Sequence, residues 1–333
     1  MRKEVTIKDI AKKLGMHHTT VSRALNGNKL IKKETRNRIL QEAYEMGYTP
    51  NLLAKNFRNG KTNIISFIIP DFKHHFFSRL ISSITELARN RGYIIMIFQS
   101  NDDPLTEQDI IQSVINLRVA GVAASIGLNT LSTNHFDRLC VENIPLVFFD
   151  RVPIKTNCST VSLDNRQAIM NVVNQLVKEG RKRIAYISFE GHTRIFKERK
   201  EGYYQAILTS HLDYKKCISA NQIFIKNGYA AASELFQSSE QPDAIICIND
   251  EIAIGVMKYL KNNNISIPKD VAIVGFDDNP MGYVCTPELT TLSQDIDCLS
   301  QTLLNLLIRE IENKDCEREN LLLTMKLERR GTF

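Results

Sequence analysis

The sequence predicts two unlike parts. One is a small all-α unit over about the first fifty residues. The other is an α/β body of two doubly wound parallel-sheet lobes. Three observations carry this. Residues 6–25 hold two short helical patterns either side of a glycine. From Asn63 onward, short continuous apolar runs alternate with amphipathic helices, the mark of parallel strands covered on both faces. Finally, the charge divides unevenly. Residues 1–60 carry 13 Lys or Arg against 5 Asp or Glu, a net +8, while the whole chain is +6. The other 273 residues are therefore at net −2.

In the first helical pattern Ile7, Ile10, Ala11 and Leu14 fall on one face. Thr6 is the expected N-cap, with Asp9 three residues on. Gly15 ends the helix and allows a sharp turn. In the second pattern Val21, Ala24 and Leu25 form the buried face, and His18, Thr19, Ser22 and Arg23 the opposite one. Short or forked hydrogen-bonding side chains on an exposed helix face suit base edges in a major groove. A helical hairpin that merely folds has the same pattern, and the basic excess favours phosphate binding over it. Residues 32–46 read as a third helix with Ile39, Ala43 and Met46 inward, closed by Gly47. Asn26 and Gly27 end the second helix, and Gly27 is free to take a positive φ.

The body's apolar runs are 64–69, 93–98, 119–125, 145–149, 183–189, 243–248 and 270–276, with helices such as 77–92 and 165–180 between them. Seven runs are too many for one modest sheet, so two lobes with a cleft are expected. Ligands of such sheets bind beyond the carboxyl ends of the strands. The residues there are Phe76 and Phe77, Asp150 and Arg151, Arg199, Asn249 and Asp250, and Asp277 and Asp278. Aromatic faces with carboxylates, an amide and an arginine suit a polyhydroxylated ligand. A helix 296–314 and a last strand 321–330 complete the chain.

Other classes are set aside. Seven scattered cysteines without CxxC spacing argue against a disulfide frame or a zinc site. His17-His18 and His74-His75 are adjacent, poor geometry for one metal, and the second pair reads as loop. Gly60-Lys61-Thr62 lacks the glycine and strand of a phosphate-binding loop. The sequence has neither a GxSxG elbow nor a GxGxxG turn after a strand. No catalytic residues, no cofactor and no metal are expected. An α/β sugar-processing enzyme with an appended helical domain is the competing class, since Asp250, Asp277 and Asp278 include a carboxylate pair. The basic start has no apolar run after it, and no stretch approaches a membrane helix, so a cytoplasmic protein without membrane contact is expected.

The stretches VTIKDIAKKLGMHHTTVSRALNG, TRNRILQEAYEMGYTPN and AKNF resemble the headpiece of the lactose/galactose-repressor (LacI-type) family of bacterial transcription regulators. Further stretches follow in family order: FF near 76, VSLDN (161–165), RKEGY (199–203), INDEIAIG (248–255), VAIVGFDD (271–278) and TPELTTL (286–292). The resemblance implies an N-terminal helix-turn-helix headpiece plus hinge helix, and a C-terminal periplasmic-binding-protein-like domain of two doubly wound parallel-sheet lobes. The domains would be 1–49, a hinge or linker at 50–61, and 62–333. One lobe would take 62–160 and 291–320, the other 161–290 and 321–333.

By the same resemblance the chain is a homodimeric, nucleoid-associated repressor of double-stranded operator DNA, controlled by a small-molecule effector. A carbohydrate is favoured over a purine corepressor. His18, Thr19 and Arg23 would meet bases, and Thr6, Thr20, Ser22 and Asn26 phosphates. A hinge helix would bring Asn51, Ala54, Lys55 and Phe57 to the minor groove. Phe57 stands where the family usually has a wedging leucine, and phenylalanine is also an apolar wedge. A plain linker is the other reading of that segment. His17 replaces the usual Ser or Thr and weakens the expected cap. Phe77, Arg199 and Asp277 would contact the effector, then Phe76, Asp150 and Asn249. The second lobe's stacking ring maps to Ile223 or Phe224. Asp250 would cap a helix and Asp278 would be structural. The chain ends at Phe333 with no heptad tail, so a dimer is the default assembly.

Overall fold

The computed structural model describes residues 5–25, 28, 30–48, 62–313 and 315–333. Two compact units divide between Thr62 and Asn63. Asn26, Gly27, Pro50, Asn51, Ala54, Lys55, Phe57 and Gly60 lie outside the described residues, so the expectations placed on them are not addressed by the fold.

The first unit holds α1 (Ile7–Leu14), α2 (His18–Leu25) and α3 (Lys33–Glu45). Thr6 and Asp9 form a reciprocal capping box: Asp9 N donates to Thr6 Oγ1 at 3.4 Å, and Thr6 N to Asp9 Oδ2 at 2.9 Å. Gly15 takes φ 65°, a left-handed value that costs an L side chain energy, and its N–H closes the helix. Ile10, Ala11, Val21, Ala24, Ile39 and Ala43 make the core.

In the second unit, the first sheet is parallel throughout, in the order β11-β5-β4-β3-β1-β2. Its strands are β1 (Ile64–Ile69), β2 (Ile94–Gln99), β3 (Gly121–Ala124), β4 (Leu146–Phe149), β5 (Ser159–Leu163) and β11 (Asn320–Leu323). Helices α4 (His75–Asn90), α5 (Pro104–Asn116), α6 (Asp137–Val141) and α11 (Ile296–Glu312) accompany it, and separate apolar clusters fill its two faces. The second sheet has the order β12-β10-β9-β8-β6-β7. These are β6 (Ile184–Phe189), β7 (Cys217–Ala220), β8 (Ala244–Cys247), β9 (Ala272–Phe276), β10 (Thr290–Gln294) and β12 (Met325–Glu328). All pairs are parallel except β10 with β12. Helices α7 (Asn165–Lys178), α8 (Arg194–Thr209), α9 (Ile225–Phe236) and α10 (Asp250–Asn262) cover it. Among the described residues no helix is long and apolar enough to cross a membrane.

The chain crosses between the sheets after Leu163, after Gln294 and at Thr324. Each crossing lies a few residues later than the sequence-based 160, 290 and 320. β5 and β11 therefore belong to the first lobe, and β10 to the second. The expected last strand at 321–330 is two strands, because Thr324 is where the chain leaves one sheet for the other.

Candidate functional site

The carboxyl ends of both sheets meet at one cavity. It contains about 520 Å³ of empty space, part of it open to solvent. All six residues expected from the sequence line it: Phe76 and Phe77 from α4, Asp150 after β4, Arg199 from α8, Asn249 after β8 and Asp277 after β9. His74, Arg151, Ile195, Phe196, Ile223, Ile248 and Gln294 complete the lining.

The two aspartates arrive in the same way. Each follows the last residue of a strand, keeps one more ladder bond, and then turns the chain. Asp150 N donates to Val161 O at 3.1 Å and Asp277 N to Leu292 O at 2.9 Å. Their φ values, 54° and 99°, lie where aspartate is tolerated better than most side chains. This turn carries both carboxyls into the cavity, where the Asp277 charge raises the pKa of Asp150. Burial is the larger cause in both. It lifts Asp150 to about 6, against the pull of Arg151 and Arg199. Asp277 is also raised, with Arg199, His74 and Arg151 opposing.

Arg199 is the cation between them, and it is 5% exposed. Nε donates to Asn165 Oδ1 at 2.8 Å and Nη1 to Ile248 O at 2.7 Å. Its guanidinium lies 3.2 Å from the centre of the Phe276 ring. A planar fork clamped on three sides is already oriented before a ligand arrives. Arg151 is different. Its Nη1 donates to Asp102 Oδ1 at 2.8 Å, so much of its charge is spent inside the first lobe. Burial, then Arg151, lowers the pKa of His74, which favours a neutral imidazole in the lining.

Gln294 is the lining residue with an unmet bond. Its Nε2 donates to Asp277 Oδ1 at 3.3 Å, while its Oε1 is buried without a partner. A buried acceptor left empty is costly, so it calls for a donor. Sequence reasoning missed Gln294, whose side chain reaches the cavity only because β10 ends at an interlobe crossing. His74 lies in a loop as expected, at the N-cap position of α4, whereas His75, also expected in the loop, is the first residue of that helix. Arg151 is visible beside Asp150 in the sequence, but nothing there marks it as a lining residue.

Some expectations change. Asn249 caps α10 through Oδ1, which accepts from Ile252 N at 2.9 Å, and its Nδ2 donates to Ile223 O at 3.2 Å. Asp250, expected as the cap, is instead buried, accepting from Thr291 Oγ1 at 2.7 Å and Asn279 N at 2.6 Å. It ties α10 to β10 and the loop after β9. Asp278 pairs with Arg330, a structural role. Phe77 is 2% exposed and packs on Phe76 and Phe149, so it is as much core as lining. Of the two positions for a second-lobe ring, Ile223 lines the cavity and Phe224 is half exposed. Phe196, from α8 and so outside the segment in which the ring was expected, brings an aromatic ring to the lining. Among the described residues no group of three or more His, Cys, Asp or Glu could hold a metal.

In the first unit, His18, Thr19 and Arg23 are exposed on α2, and Thr20 and Ser22 are half-buried beside them. The cap of α2 is not vacant: Thr19 N donates to His17 Nδ1 at 3.4 Å, and Thr19 Oγ1 lies 2.8 Å from the same nitrogen. The imidazole takes the place of the usual hydroxyl. The Thr6 hydroxyl donates to Asp9 Oδ2 at 2.6 Å, a bond that a phosphate would have to displace.

Residues 6–51 match the bacterial regulatory proteins of the lacI family, and residues 173–333 match a periplasmic binding protein-like domain. The chain is 29% identical over 326 residues to the NTD biosynthesis operon regulator NtdR of Bacillus subtilis (strain 168), covering 97% of this chain and 98% of that one. It shares its fold with the lac repressor dimer bound to operator and the anti-inducer ONPF, at a TM-score of 0.89 and 21% identity, over 99% of each chain. A periplasmic binding protein/LacI transcriptional regulator from Alkaliphilus metalliredigens QYMF, complexed with D-xylulofuranose, matches at 27% identity and a TM-score of 0.71, over 81% of this chain and 99% of its own. The chain belongs to the lacI family of bacterial regulatory proteins and is a DNA-binding transcription regulator rather than an enzyme.

Proposed function

We propose that this regulator is a cytoplasmic, homodimeric repressor of a pseudo-palindromic operator, and that a carbohydrate in the interlobe cavity controls its DNA affinity. The observation that carries the effector class is the balance of free groups in the cavity. Asp150, Asp277 and Gln294 Oε1 all accept. Among the cations, Arg151 is bonded to Asp102, and Arg199 has two of its three nitrogens engaged. A ligand rich in hydroxyl donors fits this acceptor surplus, with Phe196 and the edges of Phe76 and Phe77 for its apolar face. The sugar complex of the Alkaliphilus relative supports the same reading. Phe76, Phe77, Asp150, Arg199, Asn249 and Asp277 are the proposed effector contacts, joined by Gln294. Asn249 acts there through its position, since its amide already serves α10.

On DNA, His18, Thr19 and Arg23 would read bases, while Thr6, Thr20, Ser22 and Asn26 hold phosphates. The hinge residues Asn51, Ala54, Lys55 and Phe57 would take the operator's centre. Residues 1–49, 50–61 and 62–333 serve as headpiece, hinge and effector domain. A thermal-shift screen of pentoses, hexoses and purines against the full chain tests the effector class, because a ligand that binds only the folded state raises its melting temperature. Sugars should shift it; a shift by purines alone would replace the carbohydrate with a corepressor base.

Two predictions belong here. Arg23→Ala should cost about 1–3 kcal/mol at one base position and relax choice there, as read by fluorescence anisotropy on single-base operator variants. Equal losses on specific and random duplexes would assign Arg23 to phosphate instead. The second concerns pH. A carboxyl held at about 6 must ionise to accept ligand hydroxyls at full strength. Affinity for the sugar that the screen returns should be flat above pH 6 and weaken by up to about tenfold per unit below it. Asp150→Asn should flatten that profile, and an equally sloped profile in the variant would place the titration elsewhere. Stability of the empty protein moves the other way. Unfolding frees this carboxyl to ionise, so its contribution is greatest below the ordinary carboxylate value and is lost as pH rises through about 6.

A further inference from the structure

Two cysteines 18 positions apart in sequence lie at the edge of the first sheet opposite the cavity. Cys140 lies in the last turn of α6, just before β4, and Cys158 immediately precedes β5. These strands are parallel neighbours with Val147 opposite Ser159, so both cysteines fall at the amino-terminal edge of the sheet. That register brings the two thiols close enough for Cys140 to act on the Cys158 thiol. Cys140 is exposed and Cys158 half-buried. Backbone bonds fix the supports on each side. Asn143 N donates to Cys140 O at 3.0 Å and Ile144 N to Leu139 O at 2.8 Å; Cys158 N donates to Thr156 Oγ1 at 3.1 Å. The segment between the two cysteines contains β4, Asp150 and Arg151, and so carries part of the cavity wall.

We propose that Cys140 and Cys158 are a peroxide-sensitive dithiol whose oxidation to an intramolecular disulfide staples the segment bearing Asp150 and Arg151. Burial raises the Cys158 thiol to about 11, which leaves it protonated at neutral pH. Cys140 is the exposed one of the two, so it is the sulfur that peroxide reaches first. Its thiolate attacks one oxygen of hydrogen peroxide, the O–O bond breaks, and the departing hydroxide takes a proton to become water. Cys140 is now a sulfenic acid. The Cys158 sulfur then attacks the Cys140 sulfur, the S–S bond forms, and the S–O bond breaks. The hydroxide leaves with the Cys158 proton as a second water. Two thiols and one peroxide give one disulfide and two waters. In a reducing compartment a bond of this kind reports oxidation rather than holding the fold together. Its chemistry does not depend on the identity of the effector.

The test uses the full chain. It is treated with hydrogen peroxide, its remaining thiols are blocked with N-ethylmaleimide, and the protein is mapped by mass spectrometry after trypsin. The expected result is loss of two of the seven thiols and a cross-linked pair of peptides, 139–151 with 156–166, released by dithiothreitol. Cys140→Ser and Cys158→Ser should each abolish that pair. Cys140 is exposed, so its variant keeps the fold even if Cys158→Ser does not. A cross-link between other cysteines or between two chains would overturn the proposal. So would a sulfinic or sulfonic acid on Cys140 with Cys158 still free, or retention of all seven thiols.

Discussion

Arg199→Ala should weaken effector binding by about 100-fold and leave effector-free DNA affinity within about twofold of the parent. Hydrogen bonds from a charged donor contribute about 1.5–3 kcal/mol each, and about 1.4 kcal/mol is tenfold in affinity. The guanidinium is 5% exposed, already clamped by Asn165 and Ile248, and stacked on Phe276. Nothing else in the cavity offers the same planar set of donors, because Arg151 is bonded to Asp102. The truncation also strips Asp150 and Asp277 of a neighbouring positive charge, so both carboxyls move further toward their protonated forms. The variant should therefore bind sugar worse and lose the DNA response together. Arg199→Lys is the informative partner. It keeps the charge but cannot bond Asn165 Oδ1 and Ile248 O at once while stacking on the ring, so it should recover little. Isothermal titration for the sugar and anisotropy for the duplex read the two effects separately. Sugar affinity unchanged by Arg199→Ala would remove this residue from the binding machinery.

How far the sequence reveals this site follows from what each residue depends on. Asp150 and Asp277 are legible because each directly follows an apolar run, and a strand's end is where such sheets place their chemistry. β1 is legible because all its residues are buried. β5 is not. Its sequence STVSL is largely polar, and it is buried only because Ser159 bonds Glu310 and Thr160 bonds Asn320, partners more than 150 positions away. β10 hides for a similar reason: TTLSQ shows no apolar run. Gln294 was therefore invisible as a site residue, since its strand was. The exchange of roles between Asn249 and Asp250 shows a different limit. Either side chain can cap a helix, and only the positions of Thr291 and Asn279 decide that Asp250 is drawn away. Of the two helices that bracket Asn249, the closeness of approach could not be seen at all, although it is written in two glycines.

Gly255→Ala should unfold the second lobe at markedly lower temperature, against the ordinary rule for helices. In a helix interior alanine is favoured over glycine by about 1 kcal/mol, so at an open position the substitution would stabilise. Here a methyl on Gly255 would lie 2.1 Å from Ile225 O and 2.7 Å from Tyr229 N. A methyl on Gly228 would lie 2.1 Å from Ile252 O. α9 and α10 thus touch backbone to backbone, each through the other's glycine, with no flexible side chain between them that could yield. Relief requires the helices to separate, which opens the core of Ala231, Ala232, Leu235, Val256 and Leu260. Overpacking of this kind costs about 1–3 kcal/mol or more, which outweighs the gain in helix propensity. The damage should reach the cavity as well. Ile223 precedes α9, Asn249 caps α10, and the 3.2 Å bond between them spans the helices that must part. Urea denaturation should give a lower midpoint, and sugar affinity should fall even at temperatures where the variant is folded. The headpiece has its own core around Ile10, Val21 and Ile39, so its helices should persist through the early part of the melt. A midpoint equal to or above that of the parent would mean that α9 and α10 are not in backbone contact, and the packing that places Asn249 would have to be redrawn.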